Sequence, residues 1–272
     1  MKLYLAVDKS VFFYAARGAD LVGLPRAVLC SFANKSGAAF VLSQGVDTFL
    51  DSGAYSIYTS GIRLSVKDYY VFLKQFGGFA SQYANFDRIG DWDKTRENLR
   101  FLESLGMRPL PVFHMGTPFR ILESLCDKYN YICLGGMVPH AKDPSMISTW
   151  ADECFKIASR YKTRFHGFGC SSYLLMSRFP WYSVDSSSWL FGGGKTGVLT
   201  LFDKTLKSMV KISLYNRTDA RVYRRVLLSW GIDPSRIARK EFFDCKYIRA
   251  QVAASWYLLG KLISDKHGGE VS

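Results

Sequence analysis

Short apolar runs and longer amphipathic stretches alternate along the first 190 residues of the chain. The runs LYLAV (3–7), AVLCSF (27–32), DTFLD (47–51), YANFD (83–87), PLPVFH (109–114), YICLG (131–135), RFHGF (164–168) and WYSVD (181–185) are rich in β-branched and aromatic residues and have the length of strands. Several are apolar almost throughout, as strands covered on both faces must be. Helical patterns fill most of the gaps. Residues 65–76 open with Ser65, and residues 91–105 open with Asp91 and stop at Gly106, so that helix has a cap at each end. Residues 118–129 place Pro118 at the first helical position, and residues 144–161 form the longest stretch. Eight strands alternating with helices predict an α/β fold, a (β/α)8 TIM barrel; a doubly wound open sheet would show the same alternation.

After residue 190 the pattern changes. Residues 191–215 are glycine-rich and then alternate, VLTLF followed by MVKISLY, which predicts a hairpin. Helices follow near 218–230 and 246–263. No internal repeat, low-complexity tract or linker is visible. One barrel takes roughly 250 residues, so residues 1–272 are expected to form a single domain. Residues 190–272 would be a basic C-terminal extension that completes the barrel and its nucleic-acid face.

Composition excludes a disordered chain, because 48% of the residues are hydrophobic and only 22% charged. Charge adds a partner. The formal net charge of +13 exceeds what a solvated surface needs, and a polyanion explains the excess, since Lys and Arg neutralise phosphates and release counterions. Residues 203–249 hold twelve Lys/Arg against five Asp/Glu, more than half of the net charge. Arg217, Arg221, Arg224 and Arg225 in that segment, with Lys195 just before it, are the candidate phosphate contacts. No strongly amphipathic basic helix favours an anionic membrane, and no apolar run approaches the roughly 20 residues that cross a bilayer. Asp8 and Lys9 stand where a signal peptide would stay apolar. The six cysteines include no C-x-x-C pair and none has a His at zinc spacing, so free thiols in a reducing compartment, the cytoplasm, are expected.

Polar residues and glycines recur where the strands end: Asp51, Asp87, His114, Gly135 with Gly136, His166 and Asp185. A strand-end Asp by itself is usually a cap or a core partner. In a barrel, however, the C-terminal ends of all strands converge on one face, where active sites form. Two carboxylates in one pocket can divide the labour of breaking a glycosidic bond, one attacking the anomeric carbon and the other managing the leaving group's proton. Glycines let a backbone approach a flat ligand, and Tyr55 offers a ring on which a base can stack.

DSGAY, NFDRIGD, PVFH, LGGMV, HGFG and SVDSS, in this order over roughly residues 45–190, resemble the signature segments of the tRNA-guanine transglycosylase superfamily. The shorter chain is most similar to the phage and bacterial DNA-guanine transglycosylases (the DpdA-like group), which insert 7-deazaguanines into DNA. The resemblance implies a glycosyltransferase that exchanges guanine in DNA for a free 7-deazaguanine through a covalent aspartyl-glycosyl intermediate. Asp185 would be the nucleophile and Asp51 the general acid/base. Asp87 would read the guanine edge, Gly135 and Gly136 the purine carbonyl, and Tyr55 would stack on the base. His114 and His166 depart from the pattern, standing where the tRNA enzymes carry a base-reading Gln and a Met. The C-x-C-x-x-C…H zinc site of those enzymes is missing, with Cys245 alone near its place, so no metal or other cofactor is expected beyond the deazapurine co-substrate. This departure favours DNA over tRNA as partner.

Three other readings remain open: a tRNA-guanine transglycosylase, a barrel metal-dependent hydrolase using His114, His140, His166 and Asp185, and a non-catalytic nucleic-acid-binding protein. Residues 192–196, GGGKT, resemble the end of a phosphate loop, but Trp189 stands where its first glycine is required and VLTLF follows instead of a helix.

Overall fold

Eight parallel strands form one curled sheet in the computed structural model, which describes residues 1–191, 197–237 and 248–268. They are β1 (Lys2–Ala6), β2 (Ala27–Ser31), β3 (Asp47–Asp51), β4 (Gln82–Tyr83), β5 (Val112–His114), β6 (Tyr131–Gly135), β7 (Arg164–Gly167) and β8 (Ser183–Ser186). Their order is β4-β3-β2-β1-β8-β7-β6-β5. The first strand thus pairs with the last, and the order lacks the reversal of direction that defines a doubly wound sheet. This α/β architecture is compatible with a TIM-like barrel.

The two edge strands approach each other through one parallel bridge, Ala84 opposite Leu110. Leu110 N–H donates to Tyr83 O at 2.9 Å, and Asn85 N–H donates to Leu110 O at 2.8 Å. The expected strands 83–87 and 109–114 are therefore much shorter as ladders. The reason is covalent: Pro109 and Pro111 flank Leu110 and have no N–H to donate, so one residue carries the pairing on that side.

The helices lie between the strands: α1 (Phe12–Val22), α2 (Lys35–Leu42), α3 (Ala54–Ser60), α4 (Val66–Phe76), α5 (Trp92–Ser104), α6 (Phe119–Cys126), α7 (Pro144–Tyr161) and α8 (Tyr173–Arg178). The caps expected from sequence are made. Ser65 Oγ accepts from Asp68 N–H at 3.1 Å, and Asp91 Oδ1 accepts from Lys94 N–H at 2.9 Å. Beyond β8 come a hairpin, β9 (Val198–Asp203) and β10 (Ser208–Ser213), then α9 (Arg217–Val222), α10 (Arg224–Ser229) and finally α11 (Arg249–Lys266).

α11 is not an appendage. Its Tyr257 hydroxyl donates to Ala27 O at 2.8 Å, its Ser264 hydroxyl accepts from the N-terminal amine at 2.7 Å, and Leu3 packs on its Gly260. It also crosses α1 closely: a Cβ on Gly18 would stand 2.6 Å from Ala253 Cβ. α11 therefore follows β8 as α1 follows β1. The hairpin with α9 and α10 is an insertion in the connection from β8 to α11, not a tail after the last helix. Among the described residues, no helix is long and apolar enough to cross a membrane.

Candidate active site

The connections that leave the C-terminal ends of the strands surround a cavity of about 530 Å3. That lies within the roughly 300–1,000 Å3 of small-molecule sites. Asp51, Asp87 and Asp185 all line it, together with His114, Gly135, Gly136 and Tyr55. Neighbouring strand ends bring these residues together. In the sheet register Asp51 lies opposite Ser31, His114 opposite Gly135, and Asp185 opposite Tyr4.

Asp51 ends β3. Its Oδ2 accepts from Ser31 Oγ at 3.0 Å and from Gly53 N–H at 2.9 Å, while part of the residue stays open to the cavity. Burial, followed by the negative charge of Asp87, pushes its carboxyl up to about 7. The two hydrogen bonds oppose that rise and Asp185 adds slightly to it. Near neutrality Asp51 can hold a proton or release one.

Asp87 is almost fully buried, yet a carboxylate lines the cavity there because both its oxygens are hydrogen-bonded. Ser52 Oγ donates to Oδ1 at 2.6 Å and His114 Nε2 lies 2.8 Å from Oδ2. A carboxylate has about four lone-pair sites, so Asp87 can still accept from a ligand. His114 lines the cavity, but its Nε2 is committed to Asp87. Next to it, a Cβ on Gly135 would stand 2.9 Å from His114 Cδ2. Gly136 has φ +76 with Met115 N 3.1 Å from where a Cβ would be, so only glycine fits this bend.

Asp185, on β8, is fixed by Gly169 N–H, which donates to its Oδ1 at 2.9 Å. Cys170 also lines the cavity, but burial, with Asp185 beside it, pushes its thiol well up, so it is no thiolate nucleophile near neutrality. Tyr55, on the first turn of α3, is about half exposed at 49% and stands at the edge of the cavity.

His166 is placed differently from the residues with which it was grouped. It does not line the cavity; it is fully buried, stacked on Phe49 at 4.3 Å between ring centroids. A direct contact between His166 and a base is therefore corrected to a place in the layer behind Asp185. His140 is exposed, in a short 3-10 turn after β6, and among the described residues no three His, Cys, Asp or Glu gather as a metal site would require.

Of the candidate phosphate contacts, Arg217, Arg221 and Arg224 are exposed on α9 and α10 and make no ion pair among the described residues. Arg225 is instead tied to Asp203 at 2.8 Å, where it compensates a nearly buried carboxylate. Lys195, the glycines before it and Cys245 lie outside the described residues.

Sequence reasoning passed over Ser31, Ser52 and Ser183. The first two hold the carboxylates of Asp51 and Asp87, and the third holds His166. Ser31 had a signal, as the polar end of the AVLCS strand; the partners of Ser52 and Ser183 exist only in the fold. No protein-family model and no curated protein matches this chain.

Proposed function

We propose that the chain is a DNA-guanine transglycosylase, built on a closed (β/α)8 barrel with the Ala84–Leu110 bridge as its seam, that exchanges guanine in DNA for a free 7-deazaguanine. The observation that carries this reading is the sharing of one cavity by Asp185 and a second carboxyl, Asp51, pushed up to about 7. A general acid works best when its own proton affinity lies near the working pH. Asp185, lining the same cavity, is the nucleophile in this reading.

The target guanosine leaves the stack, at a few kcal/mol, to enter the cavity. Asp185 attacks C1′, forming a C1′–O bond as the C1′–N9 bond breaks. Asp51 delivers its proton to the departing guanine. The incoming deazapurine then surrenders its N9 proton to Asp51, its N9 bonds C1′, and the ester to Asp185 opens. One glycosidic bond replaces another, so the exchange balances without ATP or a redox partner. Asp87, supported by Ser52 and His114, accepts from the N–H groups of the guanine edge, while Gly135 and Gly136 admit the purine's carbonyl side to their backbone. The exposed arginines of α9 and α10 belong to an insertion that leaves the chain at the end of β8, beside Asp185, which suits them to flanking phosphates.

Nucleoside mass spectrometry on DNA and tRNA from cells expressing the protein, with deazaguanine supplied, tests the proposal. A modified deoxyguanosine in DNA is expected, absent with Asp185→Ala. Modified tRNA beside unmodified DNA would transfer the chemistry to the other substrate. No modified nucleoside in either would overturn the reading.

A further inference from the structure

The interior of the sheet below the cavity holds a polar chain that none of the roles above uses. Tyr131 Oη and Ser183 Oγ are 2.6 Å apart, and Ser183 Oγ and His166 Nδ1 are 2.6 Å apart. On the other side of the ring, His166 Nε2 is buried without a hydrogen-bond partner and lies 3.4 Å from Asp185 Oδ1. That gap is a few tenths of an ångström longer than a good N–H···O bond, a usual condition in unliganded sites. The ring is enclosed by aromatic neighbours. Phe49 stacks on its face, and Phe168 and Tyr4 close its edges at 4.7 and 6.2 Å between centroids.

The direction of the chain follows from what each end can tolerate. If the proton of a neutral ring sat on Nδ1, the bare lone pair of Nε2 would face the lone pairs of a carboxylate oxygen in a dry interior. The opposite direction has no such conflict. Tyr131 O–H donates to Ser183, Ser183 O–H donates to His166 Nδ1, and His166 Nε2–H points at Asp185 Oδ1. We infer that His166 is the positioning residue for Asp185: the Tyr131–Ser183 chain fixes the Nε2–H tautomer, and this N–H together with the Gly169 amide holds Oδ1 so that Oδ2 is the oxygen presented to C1′. The role of Oδ2 rests on the reading of Asp185 as nucleophile; the tautomer and the orientation of the carboxylate do not.

Two isosteric replacements separate positioning from packing. The amide nitrogen of His166→Gln reaches the place of Nε2 and keeps a donor on Asp185. The amide of His166→Asn reaches only the place of Nδ1 and keeps Ser183 company alone. Misplacing a reacting group by about 1 Å can slow chemistry on the order of 100-fold. His166→Asn is therefore expected to lower the single-turnover rate of covalent DNA adduct formation by about that factor with DNA affinity unchanged, and His166→Gln to restore most of it. ¹⁵N–¹H correlation spectra of the histidine rings in the wild-type protein supply a readout that needs no activity. His166 is expected as the Nε2–H tautomer, and Ser183→Ala is expected to release that preference. A wild-type Nδ1–H tautomer, or equal losses in the Gln and Asn variants, would overturn the inference. If the tautomer is found but the wild-type protein modifies no nucleic acid, the positioning stands and the proposed reaction falls.

Discussion

The raised proton affinity of Asp51 makes a prediction about stability that is independent of any substrate. A carboxyl with its folded value near 7 and its ordinary value of 3.8 binds its proton more tightly when the chain is folded. Folding must then bear the charge of a desolvated Asp51 at high pH and is relieved of it at low pH. The sign follows: the destabilisation is absent below the unfolded value, grows as pH rises through the window between 3.8 and about 7, and is complete above it. At about 1.4 kcal/mol per unit, the ceiling is about 4 kcal/mol. Asp51 keeps an opening to the cavity, and water there screens the charge, so about 2 kcal/mol is the working figure. The perturbation is Asp51→Asn, which preserves shape and can still accept from Gly53 N–H. Its loss of charge should stabilise the protein at about pH 8.5 by about 2 kcal/mol relative to its effect at about pH 4, or roughly 4–8 °C in Tm for a chain of this size. Calorimetric or dye-monitored melting of both proteins across this range reads the difference directly. A pH-independent Tm difference between the two would refute the argument that burial and Asp87 load Asp51 with a proton. The same group should leave its mark on turnover, with guanine release declining as pH rises through about 7.

Gly135→Ala would press a methyl group against His114, and it should destabilise the protein by about 1–3 kcal/mol in chemical unfolding and weaken guanine binding by displacing His114 from Asp87. DNA binding should weaken with salt, and replacing Arg217, Arg221 or Arg224 by Ala should each reduce the log–log salt slope by about 0.9 in fluorescence anisotropy titrations. Arg225→Ala should leave that slope unchanged and instead lower stability by about 1 kcal/mol, because its partner is Asp203. Gly18→Leu should separate α1 from α11 and abolish cooperative melting at moderate temperature, whereas Gly23→Ala, with nothing within 4 Å of its Cβ position, should destabilise only through its positive φ.

The strands were legible because a buried parallel strand writes its environment into sequence directly, as uninterrupted apolar residues closed by a polar one. Asp51 and Asp185 could be picked out only together with the other polar strand ends, since either alone would read as a cap or a core partner. The short β4 and β5 were not legible as pattern, although the prolines on either side of Leu110 hold the cause. α1 was hidden by the demand of its partner. Gly18 weakens the helical signal at the position where α11 passes too close for any side chain. The pairing that makes α11 the helix after β8 spans almost the full chain, from Leu3 to Gly260, and no local pattern encodes a contact of that separation.

The same distinction explains why His166 had to be moved from the place given to it by sequence. His114 ends β5 and His166 lies one residue before the end of β7, and position along a strand cannot say whether a side chain faces a cavity or the layer beneath it. The hydrogen bonds decide. His114 lines the cavity with Nε2 committed to Asp87, and His166 sits behind it with Nε2 toward Asp185. Each of the two carboxylates thus has its own buried imidazole, and each imidazole is itself enclosed or held by a residue that the local pattern would assign to packing: Gly135 against His114, Phe49 and Ser183 against His166. Asp51 has no such imidazole; two neutral donors, Ser31 and Gly53, serve it instead. In the proposed reaction, neutral donors and a neighbouring negative charge suit the carboxyl that exchanges a proton, and a second N–H suits the one that presents a fixed oxygen. The three aspartates are chemically identical in the sequence, and the fold sets them apart through the groups behind them.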